Sequence, residues 1–388
     1  MRVLLNALDF HPSRMGGMET YFRNLLGSLQ DICGNEEDRF TVITVAPNAA
    51  AFPLRNPAFG HVEYSFAKPS AGWFVRAAVR RITGRDVLSS RINRIEADLL
   101  HHPFSTVNAK GLRFPYVLSC MDLQHEYYPS NFSRAELRRR REAYRSSAEG
   151  AVRIIAISAY TRGTLAEAYG IDPGKVDVVH LGCGRDFRPI PDRDLLEKVR
   201  ARYGLERPFL YYPAATWPHK NHGTLLEAVR ILAGRRGFGG GLVLTGIPKQ
   251  SHGHLLRRLR ELGLEERVKV LGYLGREDLP ALYNLAELLV FPSLFEGFGI
   301  PVVEAMACGC PVACSDSTSL PEVAGDAAIR FDPRSAEAMA EAVYRLWRDP
   351  GLREEYRRKG LSRAAMFRWE KTARETIEVY RKAARVAR

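Results

Sequence analysis

Two glutamates with seven residues between them, Glu296 and Glu304, stand in the segment F-P-S-L-F-E-G-F-G-I-P-V-V-E-A-M-A-C-G that spans 291–309. An apolar run ends at Phe291, a glycine-bearing loop follows, and Pro301 suits the first turn of a helix. Main-chain N–H groups at such a helix start, together with the helix dipole, make an anion site. Gly297 and Gly299 let the backbone approach a ligand closely. Glu296 falls in the loop and Glu304 about one turn into the helix, so both can face one ligand lying across the helix start. Phosphates held by N–H groups, beside carboxylates that take hydroxyls, suit a nucleotide-sugar. The bland alternative is a structural turn carrying two surface glutamates.

Positioning these residues requires a repeating alternation of strands and helices. Val3–Leu8, Phe40–Val45, 99–101, Tyr116–Ser119 and Ile154–Ile157 read as strands, with helical periodicity over Glu19–Leu29. A second set follows. Strands are expected at Phe209–Tyr212, Leu242–Thr245, Val268–Leu271, Leu288–Phe291 and Pro311–Cys314. Helices are expected at Gly223–Leu232, His254–Leu262, Leu279–Asn284, Pro301–Ala307, Ala336–Trp347 and Glu370–Arg385. Such alternation implies α/β domains, each a doubly wound parallel sheet. A length of 388 residues suits two of them. The prolines at Pro189 and Pro191 mark a linker, giving domains 1–190 and 191–369, with the terminal helix 370–388 packing back on the first.

The charge of +13, from 57 Lys+Arg against 44 Asp+Glu, is shared evenly by the two halves, which argues against a nucleic-acid groove. The run Arg138–Arg141 has no interleaved aromatic platform and reads as a solvated helix face. The stretch 73–82, with Trp73, Phe74 and Val75 among Arg76, Arg80 and Arg81, and Arg85, Arg91 and Arg94 beyond it, has two readings: a helix with its apolar stripe on the core, or contact with an anionic membrane or lipid acceptor. No run of about 20 apolar residues suggests a membrane span. Six cysteines in so long a chain make no disulfide framework, so reduced thiols and a cytoplasmic location, peripheral on the inner face of the membrane, are expected. Cys308, Cys310 and Cys314 lack metal-ligand spacing, and Asp192-Arg193-Asp194 reads as a helix cap. No metal or cofactor is expected.

The two glutamates, in the setting F-E-G-F-G-I-P-V-V-E-A-M-A-C-G-C-P-V, resemble the donor-site motif of retaining glycosyltransferases of the GT-B fold, specifically glycosyltransferase family 4. The resemblance runs along nearly the whole chain and is densest from Tyr211 to Asp332. It implies two Rossmann-like domains facing across a cleft, the first for the acceptor and the second for the nucleotide-sugar donor. It implies that Glu304 binds the ribose and Glu296 holds hydroxyls of the donor sugar. The N–H groups of Phe298, Gly299 and Ile300, in the loop that also carries Gly297, would serve the sugar and diphosphate. In P-A-A-T-W-P-H-K-N, Lys220 would neutralise the leaving diphosphate, and His219 takes one of the common places of a second cation.

The resemblance sets Tyr273 of L-G-Y-L beside the nucleobase; a core or surface aromatic is the plain alternative. Gly16 and Gly17 would lie by the diphosphate and the acceptor, although a Gly-Gly pair is equally a simple turn. In S-C-M-D-L-Q-H-E, Asp122 and His125 would meet sugar or acceptor, Met121 replaces the family's histidine, and an Asp after a strand is also a cap. His101 and His102 either line the cleft or lie buried and hydrogen-bonded. The implied activity is transfer of a sugar, with a lean to mannose from GDP-mannose, to a saccharide or lipid-linked acceptor in glycan biosynthesis. Glu296, Lys220 and Asp122 are its catalytic candidates. The alternative is a degenerate, non-catalytic nucleotide-sugar-binding protein.

Overall fold

The computed structural model describes residues 1–12, 15–34, 38–65, 71–83, 86–109, 111–235 and 237–386. The chain forms two compact units, Met1–Gly182 with Trp369–Arg388, and Cys183–Arg368. The division falls at Gly182/Cys183 rather than at 190/191. The Cys183 N–H donates to the Phe367 carbonyl at 3.0 Å, and Cys183 bridges Arg368. The Ile190 N–H donates to Asn284 Oδ1 at 2.9 Å, so the proline-bearing segment is tied into the second unit.

In the first unit the strands are β1 (Arg2–Asn6), β2 (Arg39–Val45), β3 (Phe59–Tyr64), β4 (Leu99–His102), β5 (Tyr116–Cys120), β6 (Arg153–Ala156) and β7 (Val176–Val178). Among the described residues they form a seven-stranded sheet in the order β3-β2-β1-β4-β5-β6-β7. Every pairing is parallel; Val3 sits opposite Phe40 on one side and Leu99 on the other. The order reverses at β1, so right-handed crossovers lay helices on both faces. β3 and β7 are absent from the sequence expectation. Both lie at sheet edges; β3 reads FGHVEY with mixed burial, and β7 has three residues, so neither offers an apolar run.

The helix Trp369–Val386 belongs to this unit, beside the helix Gly17–Ile32. Its anchor is a buried polar chain. The Tyr380 hydroxyl meets His101 Nδ1 at 2.7 Å, His101 Nε2 meets Ser119 Oγ at 2.7 Å, and Ser119 Oγ meets the Tyr21 hydroxyl at 2.8 Å. Burial pushes the His101 imidazole down to about 3, so it stays neutral and can both donate and accept.

In the second unit, β8 (Phe209–Pro213), β9 (Gly241–Thr245), β10 (Val268–Gly272), β11 (Leu288–Phe291), β12 (Val312–Ser315) and β13 (Ile329–Phe331) form a parallel sheet ordered β10-β9-β8-β11-β12-β13. The runs GLVLT and LLVF are buried throughout, as strands covered on both faces require. The helix Ala336–Arg348 buries Met339, Ala340, Val343 and Leu346 along one face. Asp192 caps the helix Arg193–Arg202 by accepting from the Leu195 N–H at 3.0 Å, the role expected of the D-x-D stretch. The order reverses between β8 and β11. In such a sheet the loops leaving the carboxyl ends of the two central strands diverge and open a crevice where ligands bind. Those loops are 214–221 and 292–299.

Candidate active site

Lys220 lies in the first of these loops and Glu296 in the second. Lys220 Nζ donates to Glu296 Oε1 at 2.5 Å, with the side chains 18% and 13% exposed. The two are 76 positions apart and meet because β8 and β11 are neighbours. Several bonds stitch the loops together. The Leu294 N–H donates to the His219 carbonyl at 2.8 Å. The Tyr212 hydroxyl donates to the Lys220 carbonyl at 2.8 Å and contacts Ser293 Oγ at 3.1 Å. Asn221, with φ of 60°, donates from Nδ2 to the carbonyls of Pro292 and Pro333 at 3.1 and 2.7 Å. Asparagine tolerates this left-handed turn well, and the turn starts the helix His222–Ala233 immediately after Lys220.

The helix Ile300–Ala307 begins at Gly299, whose φ is 98°. A β-carbon there would stand 2.5 Å from Leu320 Cδ2, so conformation and space both demand glycine. The first N–H groups of a helix have no partner within it and carry the positive end of its dipole. Gly297 and Gly299 are buried, as is the Phe298 side chain, whose ring packs edge-on against Phe367 at 5.6 Å.

Glu304 follows one turn later and is buried. It accepts from the Tyr283 hydroxyl at 3.0 Å on Oε2. Desolvation raises its carboxyl to about 7, opposed by the Tyr283 bond and by the charge of Arg276. Arg276, at the start of the turn after β10, was not anticipated from the sequence. It lies over the Phe187 ring at 5.5 Å. Tyr283, also missed, packs its ring on Tyr211 at 5.1 Å. Neither residue carries a spacing signal, because each reaches Glu304 through the fold.

His219 is half-buried, and burial with the neighbouring Lys220 pushes its imidazole down to about 3. It is therefore neutral near pH 7 and brings no second positive charge beside Lys220. Tyr273, in the loop after β10, is 64% exposed, a surface aromatic rather than a core one.

The remaining candidates belong to the first unit. Gly16 (φ 53°) and Gly17 are exposed at the start of the helix Gly17–Ile32. Asp122 follows β5 and accepts from the Gln124 N–H at 2.9 Å on Oδ1, the local turn that an Asp after a strand suggests. His125 does not present itself to solvent. It is 2% exposed, bonded to the Tyr169 hydroxyl at 2.9 Å and packed on the Tyr144 ring at 4.5 Å, with burial lowering it to about 4. A side chain so placed organises the core rather than meeting an acceptor. His101 and His102 are likewise buried.

In the helix Ala71–Thr83, Phe74, Val75 and Ile82 are exposed; the side chains of Trp73, Arg76 and Arg80, and Arg85, lie outside the described residues, as do Ser13 and Arg14. In the four-arginine run, Arg140 pairs with Glu136 and Arg141 with Glu126, at 3.1 and 2.8 Å, on a solvated helix. Among the described residues, no group of three or more His, Cys, Asp or Glu side chains gathers to hold a metal, and no helix is long and apolar enough to cross a membrane.

Residues 15–186 match the family Glycosyltransferase Family 4, and residues 197–363 match Glycosyl transferases group 1. The chain belongs with the family 4-like GT-B glycosyltransferases. It is 32% identical to the O-antigen chain mannosyltransferase B of Escherichia coli over 257 residues, covering 66% of each protein. It is 28% identical to the serotype-specific mannosyltransferase WbdA of Escherichia coli over 387 residues, covering 97% of this chain and 44% of that protein. The chain thus spans 66% and under half of these curated relatives. Among solved structures, sucrose-phosphate synthase from Thermosynechococcus elongatus superimposes with a TM-score of 0.77 at 21% identity, over 98% of both chains. HepE of Anabaena, in complex with UDP and glucose, gives 0.76 at 19% identity over 98% of this chain and 100% of that one. These likenesses establish the GT-B architecture for this glycosyltransferase-family chain.

Proposed function

We propose that this chain transfers a hexosyl group, mannose from GDP-mannose, to a saccharide or lipid-linked acceptor with retention of configuration and without a metal or cofactor. The observation that carries the reading is the Lys220–Glu296 contact at the carboxyl ends of β8 and β11, beside a glycine-capped helix that buries Glu304 one turn in. In this reading the helix-start N–H groups and Lys220 take the diphosphate, Glu296 takes sugar hydroxyls and Glu304 accepts from the ribose. The bond between the anomeric carbon and the phosphate oxygen breaks, and its electron pair leaves with the diphosphate. Lys220 stabilises that charge. The acceptor oxygen bonds the same carbon from the same face, and its proton passes to the departing phosphate oxygen. Glu296 and Glu304 act as binding groups. A glycosidase pair would flank the scissile bond instead.

The mannosyltransferase names of the relatives support mannose, and hence GDP-mannose. We assign the acceptor to the first unit, where Asp122, Gly16 and Gly17 are the contact candidates. The exposed Phe74, Val75 and Ile82 support peripheral contact with an anionic membrane on the cytoplasmic side. The test is a thermal-shift panel with GDP, UDP, dTDP and ADP on the wild type and Glu304→Ala. Ligand at 100 times its dissociation constant stabilises by about 2.7 kcal/mol. A shift with GDP that Glu304→Ala abolishes is expected; a shift with another nucleotide refutes the donor, and none at all refutes the site.

A further inference from the structure

The loop after β12 closes over the loop that carries Glu296. The Glu296 N–H donates to Thr318 Oγ1 at 3.1 Å, and Ser319 Oγ donates to the Glu296 carbonyl at 3.0 Å. Both polar groups of one residue's backbone are thus held by consecutive side chains of another loop. Ser319 is fully buried, and Leu320, next in sequence, fills the space that a side chain at position 299 would need. Thr318 adopts φ of 57°. For a β-branched residue this conformation is an outlier, costing stability that the surroundings must offset. Glycine would sit there without strain but could offer Glu296 no oxygen.

We propose that Thr318 and Ser319 are positioning residues that clamp the Glu296 backbone from both sides and so hold its carboxylate at Lys220, tuning recognition of the donor's sugar rather than of its nucleotide. The inference rests on the reading that Glu296 binds sugar hydroxyls while Glu304 and the helix start bind the nucleotide. The Thr318 and Ser319 hydroxyls are engaged with the Glu296 backbone. Loss of one such bond in a pocket that must hold a carboxylate in one geometry lowers affinity roughly fivefold.

The discriminating variant is Thr318→Gly, which removes the hydroxyl while relieving the backbone. Titration calorimetry with GDP and with GDP-mannose, alongside the melting temperature, provides the readout. The expected result is GDP-mannose affinity down roughly fivefold, GDP affinity unchanged, and a melting temperature no lower than the wild type's. Thr318→Ser, which keeps the oxygen, restores GDP-mannose binding, and Ser319→Ala reproduces the selective loss. GDP and GDP-mannose falling together, or GDP-mannose unchanged in Thr318→Gly, overturns the clamp. A wild type that binds neither ligand overturns the donor reading itself and is seen before any variant is made.

Discussion

Replacing Glu304 with glutamine tests the site through the stability of the free protein. The glutamine keeps an oxygen for the Tyr283 hydroxyl, at 3.0 Å in the wild type, and removes only the charge. Burial raises the Glu304 carboxyl from 4.5 to about 7. The folded chain therefore holds this proton more tightly than the unfolded chain between those two values. Stability falls as pH rises through that window and levels off above about pH 7. A shift of that size corresponds to about 3 kcal/mol of ionisation cost carried by the wild type at pH 8. Glu304→Gln lacks the cost. It is expected to match the wild type near pH 4.5 and to exceed it by about 3 kcal/mol at pH 8. For a unit of this size the gain is roughly 6–12 °C in melting temperature. The assay is thermal or urea unfolding of both proteins from pH 5 to 8, with GDP affinity measured in parallel. Affinity moves the other way: an ionised Glu304 is the better acceptor for ribose hydroxyls, so wild-type binding strengthens as pH rises through about 7, and the variant binds more weakly with a flat profile. Parallel stability profiles for the two proteins would refute the reasoning, because they would mean that Glu304 does not ionise at this cost.

Lys220→Ala is expected to lower turnover of the nucleotide-sugar by about 10²–10³-fold, as removal of a charge-stabilising donor does; unchanged steady-state rates would remove Lys220 from the chemistry. Gly299→Ala meets Leu320 at 2.5 Å and a φ of 98°, so it should destabilise the second unit by about 1–3 kcal/mol, read from the denaturant midpoint. Tyr380→Phe deletes the hydroxyl that anchors the C-terminal helix to His101, and a loss of about 1 kcal/mol in urea unfolding is expected. An unchanged midpoint would mean that packing alone holds that helix.

The glycine-bearing helix start was legible because its information is local. Glu296, two glycines, Pro301 and Glu304 follow a strand within one loop and one helical turn, and the geometry of a helix start depends on those neighbours alone. The central strands were legible for a similar reason: a strand buried on both faces must be apolar along its length. β3 and β7, at sheet edges, face weaker demands and left weaker traces.

His125 shows the converse. Its sequence neighbourhood resembles a sugar-binding stretch, yet the chain folds the imidazole against Tyr169 and Tyr144, and sequence order alone cannot distinguish a core histidine from a presented one.

What the sequence by itself determined is the alternation of elements, the parallel α/β class and the local chemistry of the glycine-bearing helix start. Only the tertiary structure decided which groups meet there. Lys220 reaches Glu296 because β8 and β11 are neighbours at the point where strand order reverses. Glu304 is raised to about 7 because the fold buries it, against the opposing pull of the Tyr283 hydroxyl and the Arg276 charge. Thr318 and Ser319 hold the Glu296 backbone because the loop after β12 lies across the loop after β11. Desolvation, ion pairing and loop-to-loop hydrogen bonds depend on distances between segments far apart in the chain, and those distances exist only once the sheet has formed.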